Sequence, residues 1–155
     1  MGKGREIIGQ GYEHSAYRAH RPNGWVLKRK TGRWNSVLTG LELVTVNRIR
    51  REYAQTAKLA LEAGIKIPQT RIFKFSRFKY VIAQKEIVED GTVDKIPRID
   101  ALRNNPAFKG YDINLQQFIS SEGNLYWIDS NRGFGRYKTF TVYGRLLHKF
   151  KPPAR

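Results

Sequence analysis

Residues 5–30 have the sequence REIIGQGYEHSAYRAHRPNGWVLKRK, and this stretch constrains the fold more than any other part of the chain. Strand-like segments are interrupted by two turn signals, Gly9-Gln10-Gly11 and Pro22-Asn23-Gly24. We therefore expect three antiparallel strands, of which the second returns over residues 15–19. The third strand, residues 25–29, places Lys28 near its end.

The rest of the chain mixes one long helical pattern with hairpins. A helix is predicted over residues 41–63, with one apolar face formed by Val46, Ile49, Tyr53, Ala57 and Ala60. Residues 70–75 and 79–87 alternate apolar and polar side chains and predict one hairpin. A second hairpin is expected over residues 116–129, where Glu122-Gly123-Asn124 would form its turn.

Shorter elements complete the prediction. One or two short helices are expected over residues 97–109, a strand over 137–143 and a short helix over 143–150. The predicted fold class is therefore α+β, with antiparallel strands and one helix in the first part, followed by a hairpin and short helices.

The composition limits the classes of function. The chain has 155 residues, a formal net charge of +16 and no cysteine. Such a charge favours a polyanionic partner, such as nucleic acid, anionic lipid, a nucleotide or an acidic protein. Without cysteine there are no disulfides and no thiolate metal ligands, which agrees with a cytoplasmic location. No apolar run is long enough to cross a membrane, so we expect no membrane partner.

Two other kinds of active site lack support in the sequence. The three histidines, His14, His20 and His148, are not spaced like zinc ligands. No glycine–serine elbow is present for a Ser-His-Asp triad.

Four short motifs follow one another in an order that suits a nucleotide site. Gly9 and Gly11 have no side chain, so their backbone can approach phosphate groups closely. Lys28, at a strand end, can pair with phosphate oxygens. Asp112, in Gly110-Tyr111-Asp112, can orient or deprotonate an attacking hydroxyl. Asp129 ends a strand beside a loop and is a natural ligand for a hard metal ion.

Each of these residues also has a purely structural interpretation. The glycines suit an ordinary hairpin turn, and Lys28 suits a solvated strand end. Asp112 and Asp129 are also typical caps of turns or helices. Lys30, two residues after Lys28 on the same strand face, is the alternative cation.

Taken in order, the motifs resemble those of the protein-kinase-like fold, and most closely its compact atypical members, the RIO and aminoglycoside-phosphotransferase groups. The resemblance covers residues 5–135. It implies a small nucleotide-binding lobe at residues 1–89 and a truncated catalytic lobe at residues 90–155. It also implies ATP and Mg²⁺ as cofactors.

The resemblance assigns roles to individual residues. It implies that Gly9, Gly11, Lys28 and Glu52 bind the nucleotide, that Asp129 and Gln117 bind the metal, and that Asp112 and Lys28 are catalytic. Glu52 would pair with Lys28, although an intrahelical pair with Arg48 is the alternative.

The sequence also departs from the family pattern. His14 replaces the third glycine of the phosphate loop, and Asn114 replaces a lysine. Gln117 replaces a metal-binding asparagine. Ser130-Asn131 follows Asp129 where the family usually has Phe-Gly.

Three hypotheses about function follow. The first is a minimal phosphotransferase that uses ATP and Mg²⁺ to phosphorylate a protein or small-molecule hydroxyl. The second, favoured by the departures, is an inactive kinase-like protein that acts by binding a partner. The third is a basic nucleic-acid-binding protein whose strands and aromatic residues form a binding surface, for which the candidates are Trp34, Phe73, Phe75, Phe78 and Tyr80. The alternation of Phe73 and Phe75 is equally typical of a strand that packs one face on a core, and we expect that packing. The oligomeric state is not predicted.

Overall fold

The computed structural model describes residues 7–10, 13–19, 24–32, 34, 41–111 and 113–129. These residues have an α+β fold, with a five-stranded antiparallel sheet, a two-stranded sheet and two α-helices. The fold class predicted from the sequence is confirmed at this level. The strand predicted at 137–143 and the helix predicted at 143–150 lie outside the described residues.

The larger sheet contains the strands of the first part of the chain, in the spatial order β1-β2-β3-β5-β4. The strands are β1 (Ile7–Gln10), β2 (His14–Arg18), β3 (Trp25–Lys30), β4 (Thr70–Lys74) and β5 (Tyr80–Lys85). Each neighbouring pair is antiparallel. Strand β3 therefore lies in the middle of the sheet, which explains why Lys28 is buried although it is charged.

Helix α1 (Val46–Glu62) connects β3 to β4 in the sequence and packs on one face of the sheet. It begins at residue 46 and not at 41, so the predicted start is wrong. Leu41–Leu43 form a separate 3-10 turn. Thr45 then caps the helix, because its hydroxyl oxygen accepts a hydrogen bond from the backbone nitrogen of Arg48 at 3.3 Å. The predicted helix end holds, since Gly64 follows with a φ of +69°.

Two apolar clusters share α1. The first half of the helix contributes Val46, Ile49 and Tyr53 to a cluster with Tyr80 and Ile82 of β5. The last turn contributes Ala60 to a second cluster, whose other buried members are Ile65, Ile99, Leu102, Phe108, Ile113, Phe118, Leu125 and Trp127. Ala57, predicted on the apolar face, is exposed, and Thr56 is buried instead. The Thr56 hydroxyl lies 3.4 Å from that of Tyr111.

The second cluster is built by the part of the chain that follows β5. Helix α2 (Lys95–Asn104) is capped by Asp94. Strands β6 (Phe118–Ser121) and β7 (Asn124–Trp127) form the second predicted hairpin. Its turn residues Glu122 and Gly123 have φ values of 51° and 71°, a left-handed pair that suits a two-residue hairpin turn. Backbone hydrogen bonds from Lys66 to Leu125 and from Trp127 to Lys66 attach the hairpin to the segment after α1.

The expected packing of Phe73 and Phe75 on a core is wrong. Phe73 is 49% exposed and Phe75 is 66% exposed. Ile72, between Arg71 and Phe73, is the residue that packs on the first apolar cluster. The alternation in β4 is therefore real, but Phe73 lies on the side of the strand away from α1, and Phe75 follows the end of the strand.

Neither helix in the described part of the chain combines the length and the hydrophobicity needed to cross a membrane.

We predict that Ile49→Ala lowers the free energy of unfolding by about 2–5 kcal/mol, because Ile49 is 1% exposed and its removal leaves a cavity between α1 and the sheet. Urea denaturation followed by circular dichroism measures the change. Leu61→Ala on the same helix is the matched control, since Leu61 is 77% exposed and the substitution should change stability by no more than about 0.5 kcal/mol. Equal losses in the two variants would contradict the packing described here.

Candidate functional site

Lys28 joins the larger sheet to the end of the second hairpin. Its ammonium group donates a hydrogen bond to the carbonyl oxygen of Ile128 and lies 3.8 Å from the Asp129 Oδ1 atom. The Lys28 side chain is 10% exposed, whereas that of Asp129 is 55% exposed. Burial lowers the pKa of Lys28, and the negative charge of Asp129 opposes that shift. A buried cation therefore stands beside a carboxylate that is open to solvent.

Gln117 lies next to this pair through the backbone. The Ile128 nitrogen donates a hydrogen bond to the Gln117 carbonyl oxygen at 2.8 Å. The side-chain oxygen Oε1 of Gln117 is buried and has no hydrogen-bond partner among the described residues. Buried amide oxygens are rarely left without a partner, so this one is suited to accept a donor or a cation supplied by a ligand. The structure thus brings together three of the predicted residues, Lys28, Gln117 and Asp129.

Glu52 forms the ion pair that was the alternative in the sequence. Its Oε1 atom accepts a hydrogen bond from Arg48 Nε at 3.1 Å, one helical turn earlier. Glu52 nevertheless lies close enough to the site for its charge to act on Glu13. Its predicted pairing with Lys28 stays a prediction.

Glu13 is a residue of this site that the sequence motifs did not identify. Its pKa is raised from the ordinary 4.5 to about 8, first by burial and then by the negative charges of Asp129 and Glu52. Its Oε1 atom is buried without a hydrogen-bond partner in the described part of the chain. At neutral pH the carboxyl group is therefore mostly protonated. One signal was present in the sequence, because Glu13 is the only acidic residue between Glu6 and Glu42.

Two tyrosines line the same region. The hydroxyl of Tyr53, on α1, is buried and lacks a hydrogen-bond partner among the described residues. Burial, followed by the charge of Asp129, raises the pKa of Tyr53. The Tyr80 hydroxyl lies 2.8 Å from Nε2 of His14. Burial, with Lys28 and Lys30 adding to it, lowers the pKa of His14 to about 3, so its ring is neutral at physiological pH.

The alternative cation, Lys30, points to a different place. Its ammonium group donates a hydrogen bond to the carbonyl oxygen of Phe78 at 2.6 Å and lies 4.0 Å from Glu42. Lys30 therefore contacts the turn after β4, whereas Lys28 contacts Ile128 and Asp129. The two lysines of β3 form a natural pair for comparison.

Gly9, Gly11 and Asp112 are the remaining residues of the predicted site. Gly9 pairs with Ala16 across the β1–β2 hairpin, next to an irregularity in the strand register. Gly11 and Asp112 lie outside the described residues, so their predicted roles stay predictions.

The residues fit a magnesium ion only in a limited way. In the described ranges, no three His, Cys, Asp or Glu side chains are grouped so that they could hold a metal ion by themselves. Mg²⁺ usually takes one or two protein ligands and completes its shell with water and substrate phosphates. The exposed carboxylate of Asp129 and the unpartnered oxygen of Gln117 meet that smaller requirement.

The site does not coincide with the grooves that line α1. A groove between α1 and β4 is bordered by Arg50, Tyr53, Ile67, Thr70 and Ile72. Another lies between α1 and the Ala107 to Tyr111 segment. Neither of these two grooves is lined by Lys28 or Asp129, although Tyr53 borders the first.

No model of a known protein family matches the sequence, and no curated protein is significantly similar to it.

We predict that the wild-type protein loses stability as the pH rises from about 6.5 to about 8, because the folded state keeps the Glu13 proton that the unfolded chain has already released. His14 acts in the opposite direction below its ordinary pKa of 6.5, so the interval from 6.5 to 8 reports on Glu13. Glu13→Gln should flatten the dependence in that interval.

Urea denaturation at a series of pH values measures this effect. Glu62→Gln, at the exposed end of α1, is the matched control and should keep the wild-type dependence. A Glu13→Gln protein whose stability falls as steeply as that of the wild type would show that Glu13 is not the group responsible.

Proposed function

We propose that the chain is a minimal kinase-like phosphotransferase that moves the terminal phosphoryl group of ATP to a hydroxyl group of a protein or small molecule. The observation that carries the proposal is the approach of Lys28 to Asp129, two residues separated by most of the chain, to 3.8 Å. A lysine that binds phosphate and a carboxylate that binds Mg²⁺ are two of the parts that phosphoryl transfer uses, and this pair would supply both.

Lys28 would bind the phosphate groups. An ammonium group acts as a compact point charge toward phosphate oxygens. Burial in the central strand restricts the Lys28 side chain, so the charge is held in place before a ligand arrives. Gly9, in the hairpin that precedes Lys28, and Gly11 would let the backbone come close to the same phosphates.

Asp129 and Gln117 would hold Mg²⁺. When bound, the ion neutralises the charge of the phosphate oxygens. The hydrogen bond between the Ile128 nitrogen and the Gln117 carbonyl oxygen holds Gln117 beside the residue that precedes Asp129. The Gln117 side chain is one methylene longer than the asparagine found at this position in the kinase-like family. Its buried oxygen has no hydrogen-bond partner among the described residues, which is consistent with a role as a Mg²⁺ ligand.

Asp112 would act on the acceptor. Transfer breaks the bond between the γ-phosphorus and the bridging oxygen, and forms a bond between that phosphorus and the acceptor oxygen. The hydroxyl proton passes to the carboxylate of Asp112, and ADP leaves. This role rests on the resemblance alone.

We predict that ATP with Mg²⁺ raises the melting temperature of the wild-type protein and that Lys28→Met abolishes this rise. Methionine keeps an apolar side chain of similar length, so the variant removes the charge with little change of packing. Lys30→Met is the matched control on the same strand, and it should keep the rise because Lys30 contacts Phe78 and Glu42 instead.

The same samples test phosphoryl transfer from labelled ATP. Asp129→Asn should lower transfer by about 100-fold or more, because it removes the carboxylate charge that would hold Mg²⁺ against the phosphate groups. If Lys28→Met were stabilised by ATP as much as the wild type, the nucleotide site would not be at Lys28. Stabilisation of the wild type without any transfer would favour the inactive, partner-binding alternative over the enzyme.

A further inference from the structure

The larger sheet has a second face, on the side away from α1. We call it the outer face and define it by Tyr17, Trp25, Leu27, Arg71, Phe73 and Val81. Across the sheet, Tyr17 pairs with Leu27, Leu27 with Ala83 and Ala83 with Arg71. Residues paired across antiparallel strands project to the same side, so this row shares one face.

The neighbouring row shows which side this is. Lys28 pairs with Ile82, and Ile82 pairs with Ile72. Ile82 and Ile72 pack against the α1 cluster. Because successive residues of a strand alternate between faces, Leu27 and Arg71 point away from α1.

The outer face is partly open to solvent. Phe73 is exposed, and Tyr17, Trp25, Leu27 and Val81 are each half-buried. Phe75, which follows the end of β4, is exposed as well. Aromatic rings on three strands of one sheet, those of Tyr17, Trp25 and Phe73, thus keep accessible surface, and a cluster of this kind often marks a binding surface.

The charge around these rings is positive. The five strands of the sheet contain lysine and arginine but neither aspartate nor glutamate. Between Glu62 and Glu86 the sequence has basic residues and no acidic one. Arg71 and Lys85 are exposed, and the Arg71 guanidinium lies 5.7 Å from the centre of the Trp25 ring. The surface therefore suits an anionic ligand that also presents flat apolar groups.

We propose that the outer face binds single-stranded nucleic acid. Unpaired bases can stack on exposed aromatic rings, and the flanking cations can contact the phosphates. A duplex would offer the same phosphates, but its bases are already stacked on one another. An acidic peptide would use the cations and leave the rings without a flat partner. Of these three ligands, a single strand is the one that would use both the aromatic rings, through its bases, and the cations, through its phosphates.

This surface is separate from the proposed nucleotide site. Lys28 lies on the row that faces α1, whereas Arg71 and Phe73 lie on the opposite side of the same sheet. Loss of one activity should leave the other in place.

We predict that the whole chain binds a labelled single strand of about 20 nucleotides and that Phe73→Ala combined with Phe75→Ala weakens the binding by about tenfold or more. Both rings are exposed, so their removal should leave the fold intact, which circular dichroism checks. Fluorescence anisotropy measures the affinity for single-stranded DNA and RNA. Leu61→Ala, which removes an exposed apolar side chain from α1, is the matched control and should bind as the wild type does.

The contribution of positive charge to oligonucleotide binding is measured by the salt dependence of the affinity. Arg71→Gln should reduce the slope of log affinity against log salt concentration by about one, because one phosphate contact is lost. Asp129→Asn should bind the oligonucleotide normally, which separates this proposal from the nucleotide site.

Three results would overturn the proposal. One is an affinity that does not change in the double phenylalanine variant. A second is equal affinity for a duplex of the same length, which would indicate charge attraction alone. The third is binding to phosphatidylserine vesicles or polyglutamate that depends on Phe73 and Phe75 while oligonucleotide binding does not, which would assign the surface to a membrane or an acidic protein.

Discussion

A lysine in the middle of a sheet is stable only where its charge finds acceptors, because the free energy cost of burying an unpaired ammonium group is large. In this chain the acceptors are the Ile128 carbonyl oxygen and the Asp129 carboxylate. The interaction therefore does more than neutralise Lys28. It fixes the end of the second hairpin against β3, and the hydrogen bond between Ile128 and Gln117 extends that connection. The three residues proposed to bind phosphate and metal are held in one place by it.

Helix α1 supports the same arrangement from the other side. Its first turns pack on the sheet and its last turn packs on the second cluster, so one rigid element sets the distance between them. Glu13 and Tyr53 have buried polar atoms that lack partners among the described residues. Such groups reduce stability, and a partner supplied by a ligand or an ion is one physical explanation for their retention. The packing of α1 and these buried polar atoms therefore occur at the same place, where the larger sheet meets the second hairpin.

Local signals in the sequence predicted most of the elements, because turn chemistry depends on a few adjacent residues. Gly64 and the Glu122-Gly123 turn are examples. Features that depend on tertiary packing were missed. The alternation of apolar and polar residues in β4 predicts a strand with one buried side, but it does not say which side is buried. Phe73 was therefore expected in a core. The protonated state of Glu13 arises from burial beside Asp129 and Glu52, which no local pattern encodes. The approach of Lys28 to Asp129 was expected only through the resemblance, since spacing along the chain carries no information on it.

The distribution of charge connects the two proposals. The strands of the larger sheet are free of acidic residues, whereas the carboxylate of Asp129 lies beside Lys28, and the charges of Asp129 and Glu52 both act on Glu13. A polyphosphate is therefore attracted to the molecule as a whole and meets negative charge at the proposed site itself. Lys28 offsets part of that repulsion, and the proton on Glu13 removes another part at neutral pH. The remaining negative charge is a physical reason for the site to favour a nucleotide that brings a divalent cation over one that does not. The five described strands that form the outer face contain no aspartate or glutamate, so we expect phosphate binding there to need no metal. The two faces of one sheet can therefore bind phosphates in different ways. Successive residues of β3 and β4 alternate between the faces, so Lys28 belongs to one face and Arg71 to the other.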